Sequence, residues 1–141
     1  MKSFYSCLDL GCGNILTQAM QHTINGKMAS DRGGKVIFYT AEDTDTLGQQ
    51  SVIRSKISEQ PPIDGIVYLR LHQFSYSGEF DFEFLSELLK KGYEVHFARE
   101  KISIVDQSQL DEMYETLKAF DYLALNQQEE ICRQLASMLP Q

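Results

Sequence analysis

The chain has 141 residues, of which 43% are hydrophobic and 23% charged, and these values are ordinary for a globular protein. This length suffices for one domain that buries its own core, and no apolar run approaches the ~20 residues that cross a bilayer. The net charge of −7 repels a phosphate backbone at long range, so the composition disfavours nucleic acid as a partner. The N-terminus has no signal-peptide pattern, and we therefore expect a cytoplasmic protein without a membrane segment.

The first third of the chain alternates between patterns of strands and helices. Ser3–Leu8 predicts a short buried strand, and Asn14 is placed to cap the helix that follows the next turn. Apolar residues at a spacing of four, from Ile15 to Met28, predict one apolar stripe on that helix. Lys35–Tyr39 is a run of β-branched and aromatic residues, which predicts a central strand.

The same alternation continues through the middle of the chain. Gln49–Glu59 predicts a helix that stops before two prolines, because a proline disfavours helix in the residue before it. Ile66–Leu71 predicts a third strand, and Asp81–Lys91 has a strong helical pattern with a basic end. A fourth strand is predicted at Tyr93–Ala98 and a short fifth one at Ile102–Val105.

Two amphipathic helices are predicted at the end of the chain. Ser108 and Asp111 have the spacing of a capping box, and Asn126 and Glu129 repeat it. These signals predict helices over residues 108–124 and 126–138. The expected fold is a single α/β domain over residues 1–141, with a doubly wound, mostly parallel sheet, helices on both faces and C-terminal helices.

Candidate functional residues follow from this topology, since ligands of open parallel sheets collect outside the carboxyl ends of the strands. The loops at those ends contain six candidate ligand-binding residues: Asp9, Thr40, Gln73, Tyr76, Arg99 and Glu100. Two more, Glu42 and His72, are candidates for proton transfer. A structural alternative stays open for each group, because polar loop residues are often only solvated and Arg99 can pair with Glu100 or Glu42 to hold the loops.

No metal site is predicted, and the sequence leaves the cofactor unknown. Glu42, Asp43 and Asp45 could gather a hard cation, although an acidic loop is more often a solvated one. The turn Gly11-Cys12-Gly13 has neither the Rossmann nor the P-loop spacing. The three cysteines lack zinc-ligand spacing, and we expect buried thiols.

The range Ile63 to Glu100 resembles the centre of serine recombinase (resolvase) catalytic domains. In that family a strand ending in an Asp-Arg-Leu-Gly-Arg-Ser loop is followed by a helix, a Lys/Arg-Gly turn and a strand ending in Glu. Here Gln73 and Tyr76 replace the two arginines of that loop. The family's first strand has the pattern Tyr-x-Arg-x-Ser, and Cys7 and Asp9 stand at its arginine and its nucleophilic serine. Phosphoryl transfer needs positive charge on the non-bridging oxygens, so the resemblance implies the resolvase-like fold without strand cleavage.

A second resemblance, from Val36 to Ile104, is to the sporadic carbohydrate cluster family, small bacterial proteins encoded among surface-polysaccharide genes. Three segments carry it: Tyr39-Thr40-Ala41-Glu42, Ile63-Asp64-Gly65-Ile66-Val67 and His96-Phe97-Ala98-Arg99-Glu100. The resemblance implies an accessory role in lipopolysaccharide or capsule synthesis. In that setting the ligand could be a nucleotide-sugar or another small anionic sugar compound, and the alternative that stays open is that the chain binds only another protein.

Two other interpretations stay open. The last two helices could pack on a second copy of the chain, which would make it a homodimeric interaction module without catalysis. The other interpretation is a residual association with DNA that came with the resolvase-like fold, which the negative net charge disfavours.

Overall fold

A five-stranded sheet forms the centre of the structure, a computed structural model that describes residues 1–12, 15–42, 49–76, 78–124 and 133–139. The strands are β1 (Lys2–Leu8), β2 (Gly34–Ala41), β3 (Gly65–Tyr68), β4 (Glu94–Phe97) and β5 (Ile102–Ile104). They lie in the order β2-β1-β3-β4-β5. β1 to β4 run parallel, and β5 pairs antiparallel with β4. The predicted mostly parallel α/β sheet is confirmed.

Helices cover both faces of this sheet, as the sequence predicts. They are α1 (Gln18–Asp31), α2 (Ser51–Ser58), α3 (Phe82–Lys90), α4 (Gln107–Glu112) and α5 (Tyr114–Ala124). On one face, apolar residues of α1 pack with Phe4 and Val67. On the other face, residues of α2 to α5 pack with Ile66, Tyr68 and Phe97. Alternate residues of β3 thus point into two separate apolar clusters, as the period of a strand requires.

The position of β2 differs from the prediction, which placed Lys35–Tyr39 in a central strand. Among the described strands β2 pairs with β1 alone, so it lies at an edge. Ile37, Phe38 and Tyr39 are 51%, 43% and 50% exposed. Ile37 is also an extra residue opposite β1, because the register shifts at this point from Val36 to Phe38. A continuous apolar run is typical of a strand that is covered on both sides, and here that prediction was wrong.

The start of α1 also differs from the prediction. Thr17 is its N-cap, and the Thr17 hydroxyl accepts a hydrogen bond from the backbone N–H of Met20 at 3.2 Å. The predicted cap, Asn14, lies outside the described residues. Of the predicted apolar stripe, Ile24 and Met28 are buried, whereas Met20 is exposed.

The helix predicted over residues 108–124 is divided in two at Met113. Asp106, rather than Ser108, caps α4, and its carboxylate accepts from the backbone N–H of Gln109 at 2.9 Å. Of the last helix, predicted over residues 126–138, residues 126–132 lie outside the described ranges, residues 133–136 are helical, and Leu135 is buried.

The cysteines and the helix lengths bear on two further expectations. Cys7 is a buried free thiol, as predicted, whereas Cys12 is buried in a disulfide-bonded state, which the sequence analysis did not foresee. Cys132 lies outside the described residues.

Within the part of the chain that the structure describes, no helix combines the length and apolarity needed to cross a bilayer.

The close approach of β3 to β4 gives a test of the sheet. A Cβ at Gly65 would lie 2.3 Å from the backbone carbonyl oxygen of Glu94, at the first pair of the parallel ladder between β3 and β4. We expect Gly65→Ala to lower the free energy of unfolding by about 2–4 kcal/mol, because the two strands must separate.

The control is Gly26→Ala in α1, where nothing lies within 4 Å of an added Cβ. Alanine favours a helix interior by about 0.5–1 kcal/mol, so this variant should equal or exceed the parent in urea unfolding. Equal stability of Gly65→Ala and the parent would contradict the close approach.

Candidate functional site

The site lies between β1 and β3, where the chain changes direction across the sheet. β2 follows β1 on one side and β3 lies on the other, so the carboxyl ends of β1 and β3 form the switch point at which open α/β sheets bind ligands. The register pairs Cys7 with Tyr68. Two residues further on, Asp9 and Arg70 come side by side, and Arg70 Nε donates to a carboxylate oxygen of Asp9. Both residues are only 1% exposed.

Tyr76 closes this group into what we term the Asp9–Arg70–Tyr76 cluster. The Tyr76 hydroxyl donates to the other carboxylate oxygen of Asp9 and accepts from Arg70 Nη2 at 3.1 Å. Burial, and after it the charge of Asp9, raises the pKa of Tyr76 well above its ordinary value, so the phenol stays protonated. The same Asp9 oxygen accepts from the backbone N–H of Gly11 at 2.9 Å. Both oxygens of the Asp9 carboxylate are therefore engaged within the protein.

Gln73 ties the cluster to the end of β1. Its side-chain oxygen accepts from the backbone N–H of Arg70 at 3.0 Å. Its amide nitrogen donates to the carbonyls of Cys7 and Leu8 at 3.2 and 3.3 Å. Gln73 thus satisfies backbone groups at the ends of two strands at once, which holds the switch point together.

Two buried amides of α1 support the same strand end from the other side. The Gln21 side chain accepts from the Asp9 backbone N–H at 2.6 Å and donates to the Asp9 carbonyl at 2.9 Å. Asn25 Nδ2 donates to the Ser6 hydroxyl at 2.9 Å. Neither residue is among the predicted site residues, because the apolar pattern of this helix does not report buried amides. An amide on the buried side of a helix was the available signal, since a buried amide needs partners.

His72 is buried rather than solvated. It lies in a 3-10 turn, Leu71–Phe74, that directly follows Arg70, and it is 1% exposed. Its ring centroid lies 4.3 Å from that of Tyr76 in an edge-to-face arrangement. His72 therefore packs against the cluster.

Thr40 and Glu42 lie near the cluster and already have structural partners. The Glu42 carboxylate accepts from the backbone N–H groups of Val52 at 2.9 Å and Ile53 at 3.2 Å, at the start of α2, where negative charge is favourable. The Thr40 hydroxyl donates to the Cys7 sulfur at 3.3 Å. Burial raises the pKa of Cys7 to about 12, so the thiol stays protonated and is a poor nucleophile.

The cavity among these side chains is very small. It measures about 10 Å³, which is room for about one water molecule. Its lining includes five of the predicted site residues: Asp9, Thr40, Glu42, Gln73 and Tyr76. The predicted residues do converge, but they converge on each other and leave no space for a sugar ring.

Arg99 and Glu100 form a separate part of the edge, after β4. Arg99 Nη1 pairs with Glu100 at 2.9 Å, as in the structural alternative that the sequence left open. The other Glu100 oxygen accepts from the backbone N–H of Leu71 at 3.0 Å. Burial raises the pKa of Glu100 above its ordinary value, although the ion pair with Arg99 opposes this shift.

A wide cavity opens beside this pair. It measures about 540 Å³, we term it the Arg99 cavity, and it is lined by Arg99, Glu100, Lys101, Gln134 and Met138. Arg99 Nη2 donates to the side-chain oxygen of Gln134 at 3.3 Å. The Arg99 cavity is large enough for a small organic molecule.

Arg70 is the central residue that the sequence analysis missed. It belonged to the predicted strand Ile66–Leu71, but β3 ends at Tyr68, so Arg70 falls at the switch point. The signal was a single arginine inside an apolar run, because a buried charge requires a partner of opposite sign.

For metal ions, no group of three or more His, Cys, Asp or Glu residues with a suitable arrangement occurs in the described ranges. Asp43 and Asp45 lie outside those ranges.

No protein-family model matches the chain, and no curated protein matches its sequence. The function must therefore be inferred from the geometry described above and from the two resemblances of the sequence.

Removal of one partner of the buried pair gives a direct test of the cluster. Asp9→Asn leaves the Arg70 charge without its partner, and Arg70→Met leaves the Asp9 charge without its partner. We expect each variant to lower the free energy of unfolding by about 3–5 kcal/mol. In the double variant neither charge remains, so its loss should be smaller than the sum of the single losses by about 1–3 kcal/mol.

Tyr76→Phe is the matched control, since it removes one hydroxyl without removing a charge and should cost about 1 kcal/mol. Urea unfolding of the four variants measures these values. Strict additivity of the Asp9 and Arg70 losses would mean that the two side chains do not interact.

Proposed function

We propose that the chain is a non-cleaving accessory protein of bacterial surface-polysaccharide biosynthesis that binds a nucleotide-sugar or another small anionic sugar compound at the carboxyl edge of its sheet. The biological setting rests on the resemblance to the sporadic carbohydrate cluster family. The ligand class rests on the charge and size of the Arg99 cavity.

The state of Asp9 supports a function without strand cleavage. The resemblance to serine recombinases puts Asp9 where the nucleophile is expected, and a nucleophile must be free to approach phosphorus. Here the carboxylate is buried and receives hydrogen bonds from Arg70, Tyr76 and Gly11. The Arg70 charge is neutralised by Asp9, so it is not available for the non-bridging oxygens of a phosphodiester.

The Arg99 cavity is the observation that carries the proposed ligand. Its volume of about 540 Å³ falls within the range of small-molecule sites, about 300–1,000 Å³. Lys101 brings a positive charge to it in a chain whose net charge is −7, and Arg99, whose charge is balanced by Glu100, adds guanidinium N–H donors. Glu100 and Gln134 add hydrogen-bonding groups of the kind that recognise sugar hydroxyls. A phosphate group close to Lys101, with the sugar against the polar side chains, is the arrangement that these residues favour.

Calorimetric titration with nucleotide-sugars tests this proposal. We expect UDP-linked, GDP-linked or CMP-linked sugars at millimolar concentration to bind, and Arg99→Ala to weaken the binding about tenfold through loss of a charged hydrogen bond.

Arg54→Ala is the charge-matched control for that titration. Arg54 lies on α2, where it pairs with Asp81 and stacks over Phe84, far from β4 in the chain. Its removal should leave the affinity unchanged even if stability falls. Absence of binding by every member of the panel would exclude the nucleotide-sugar class.

The exposed edge of β2 favours a second candidate function, that of a homodimeric interaction module. An edge strand with exposed apolar side chains is a template for pairing with another chain, and Ile37, Phe38 and Tyr39 are each 43% exposed or more. An antiparallel pair of β2 strands centred on Phe38 would set the exposed Ile37 of each copy opposite the exposed Tyr39 of the other, so a second copy is the partner that this edge fits. The sequence-based interpretation put such a contact on the C-terminal helices instead.

Ile37→Lys tests this second candidate by light scattering. We expect the parent chain to have twice the monomer mass and Ile37→Lys to have the monomer mass, because two lysines would be brought together at the contact. Val105→Lys is the control, since Val105 is 46% exposed and lies after β5, at the opposite edge of the sheet. A monomeric parent chain would rule out the homodimer, and a dimeric Ile37→Lys variant would move the contact away from β2.

A further inference from the structure

A second cavity adjoins the Arg99 cavity on the α1 face of the sheet. It measures about 310 Å³, and it lies among α1, the turn between β4 and β5, and Met138. We term it the α1 cavity. It shares Lys101 and Met138 with the Arg99 cavity, so the two form adjoining parts of one surface depression.

The α1 cavity is basic, although the chain as a whole is acidic. Three cationic side chains, Lys27, Arg32 and Lys101, line it together with one carboxylate, that of Asp31. Lys27 pairs with Asp31 at 3.0 Å, which leaves the charges of Arg32 and Lys101. Arg32 Nε donates to the Ser103 hydroxyl at 2.6 Å, which orients the guanidinium. Neither Arg32 nor Lys101 forms an ion pair with any residue in the described ranges.

Lys101 is held there at a cost in backbone strain. Its φ of 57° lies in the left-handed region, which side chains other than glycine rarely adopt. Strained residues of this kind persist where the surrounding structure imposes them, and they concentrate at ligand sites. The strain and a charge that forms no ion pair within the described ranges both occur in Lys101, which lines both cavities.

The remaining wall of the α1 cavity is apolar. Ile24, Met28 and Ala98 leave only 3–5% of their surface open, and Met138 is 36% exposed. A sugar phosphate alone would leave this apolar surface in water. An aliphatic chain would cover the exposed part of Met138 and the little surface that the other three residues leave open.

We propose that the ligand is a glycosyl phosphate whose phosphate carries an aliphatic chain. The phosphate lies at Lys101 and Arg32, the chain lies against Ile24 and Met28 in the α1 cavity, and the sugar lies in the Arg99 cavity. This inference rests on the proposed function, a small anionic sugar compound at this edge, and deepens it by placing an aliphatic group instead of a nucleoside on the other side of the phosphate.

Three soluble probes separate the parts of this ligand in calorimetric titration: octyl phosphate, inorganic phosphate and octyl glucoside. Octyl phosphate should bind at least tenfold more tightly than inorganic phosphate, because even a few buried methylene groups give about that factor. It should also bind at least tenfold more tightly than octyl glucoside, which has the same chain but no charge. Equal affinity for octyl phosphate and either of the other probes would overturn the inference.

Lys101→Gly is the decisive variant because a loss of binding in this variant cannot be explained by loss of folding. Glycine relieves the left-handed strain, so the melting temperature should stay unchanged or rise by up to about 5 °C, while octyl phosphate binding weakens about tenfold. Gln60→Gly is the matched control: Gln60 has a φ of 51° in the loop after α2, so its replacement relieves similar strain without removing a charge. Its affinity for octyl phosphate should equal that of the parent. Parent-like binding by Lys101→Gly would place the phosphate elsewhere and overturn the inference.

UDP-glucose, titrated in the same series, distinguishes failure of this inference from failure of the proposed function. Binding of UDP-glucose without binding of octyl phosphate would overturn the aliphatic ligand and keep the nucleotide-sugar. Binding of octyl phosphate alone would support the aliphatic ligand and overturn the nucleotide-sugar class. Binding of neither would overturn both.

Discussion

Two opposite charges are held away from water where the central strands β1 and β3 end. The transfer of a guanidinium and a carboxylate into the protein interior costs several kcal/mol for each ion, and this cost is met only when the partners satisfy one another closely. Asp9 and Arg70 do so directly, and Tyr76 and the Gly11 backbone engage the remaining carboxylate positions. The geometry of the carboxyl edge depends on this pair, because the residues that hold the strand ends, among them Gln73 and Gln21, bond to the backbone of the same two residues.

This arrangement explains why the edge has a closed part and an open part. A switch point leaves a gap between diverging loops, and here the protein fills that gap with its own charged groups. A ligand at that position would have to separate Arg70 from Asp9, and the local cavity of about 10 Å³ leaves it no room. The open volume lies further along the edge and on the α1 face, where Arg99 and Lys101 stand beside cavities of about 540 and 310 Å³.

The charge distribution matches small anions better than polyanions. A net charge of −7 repels a long phosphate backbone, whose interaction sums over many sites. A single phosphate group responds mainly to charges within a Debye length, about 10 Å, and Arg32 and Lys101 are cations on that scale. A small basic depression on an acidic protein therefore supports the proposed compact anion over nucleic acid as the ligand.

The sequence by itself determined the α/β class and the elements whose patterns report burial locally. The helical pattern of Asp81–Lys91 predicted α3, whose apolar residues Phe84, Leu85, Leu88 and Leu89 are buried because a helix that covers a sheet must be apolar on one side. The sequence also identified most of the polar residues at the carboxyl edge, since the alternation of strands and helices alone places the ends of parallel strands together. Only the tertiary structure decided that β2 lies at an edge and that Arg70 meets Asp9, 61 residues away. Strand order and partner choice depend on contacts between distant parts of the chain, and a local pattern reports that a residue is buried without reporting what it is buried against.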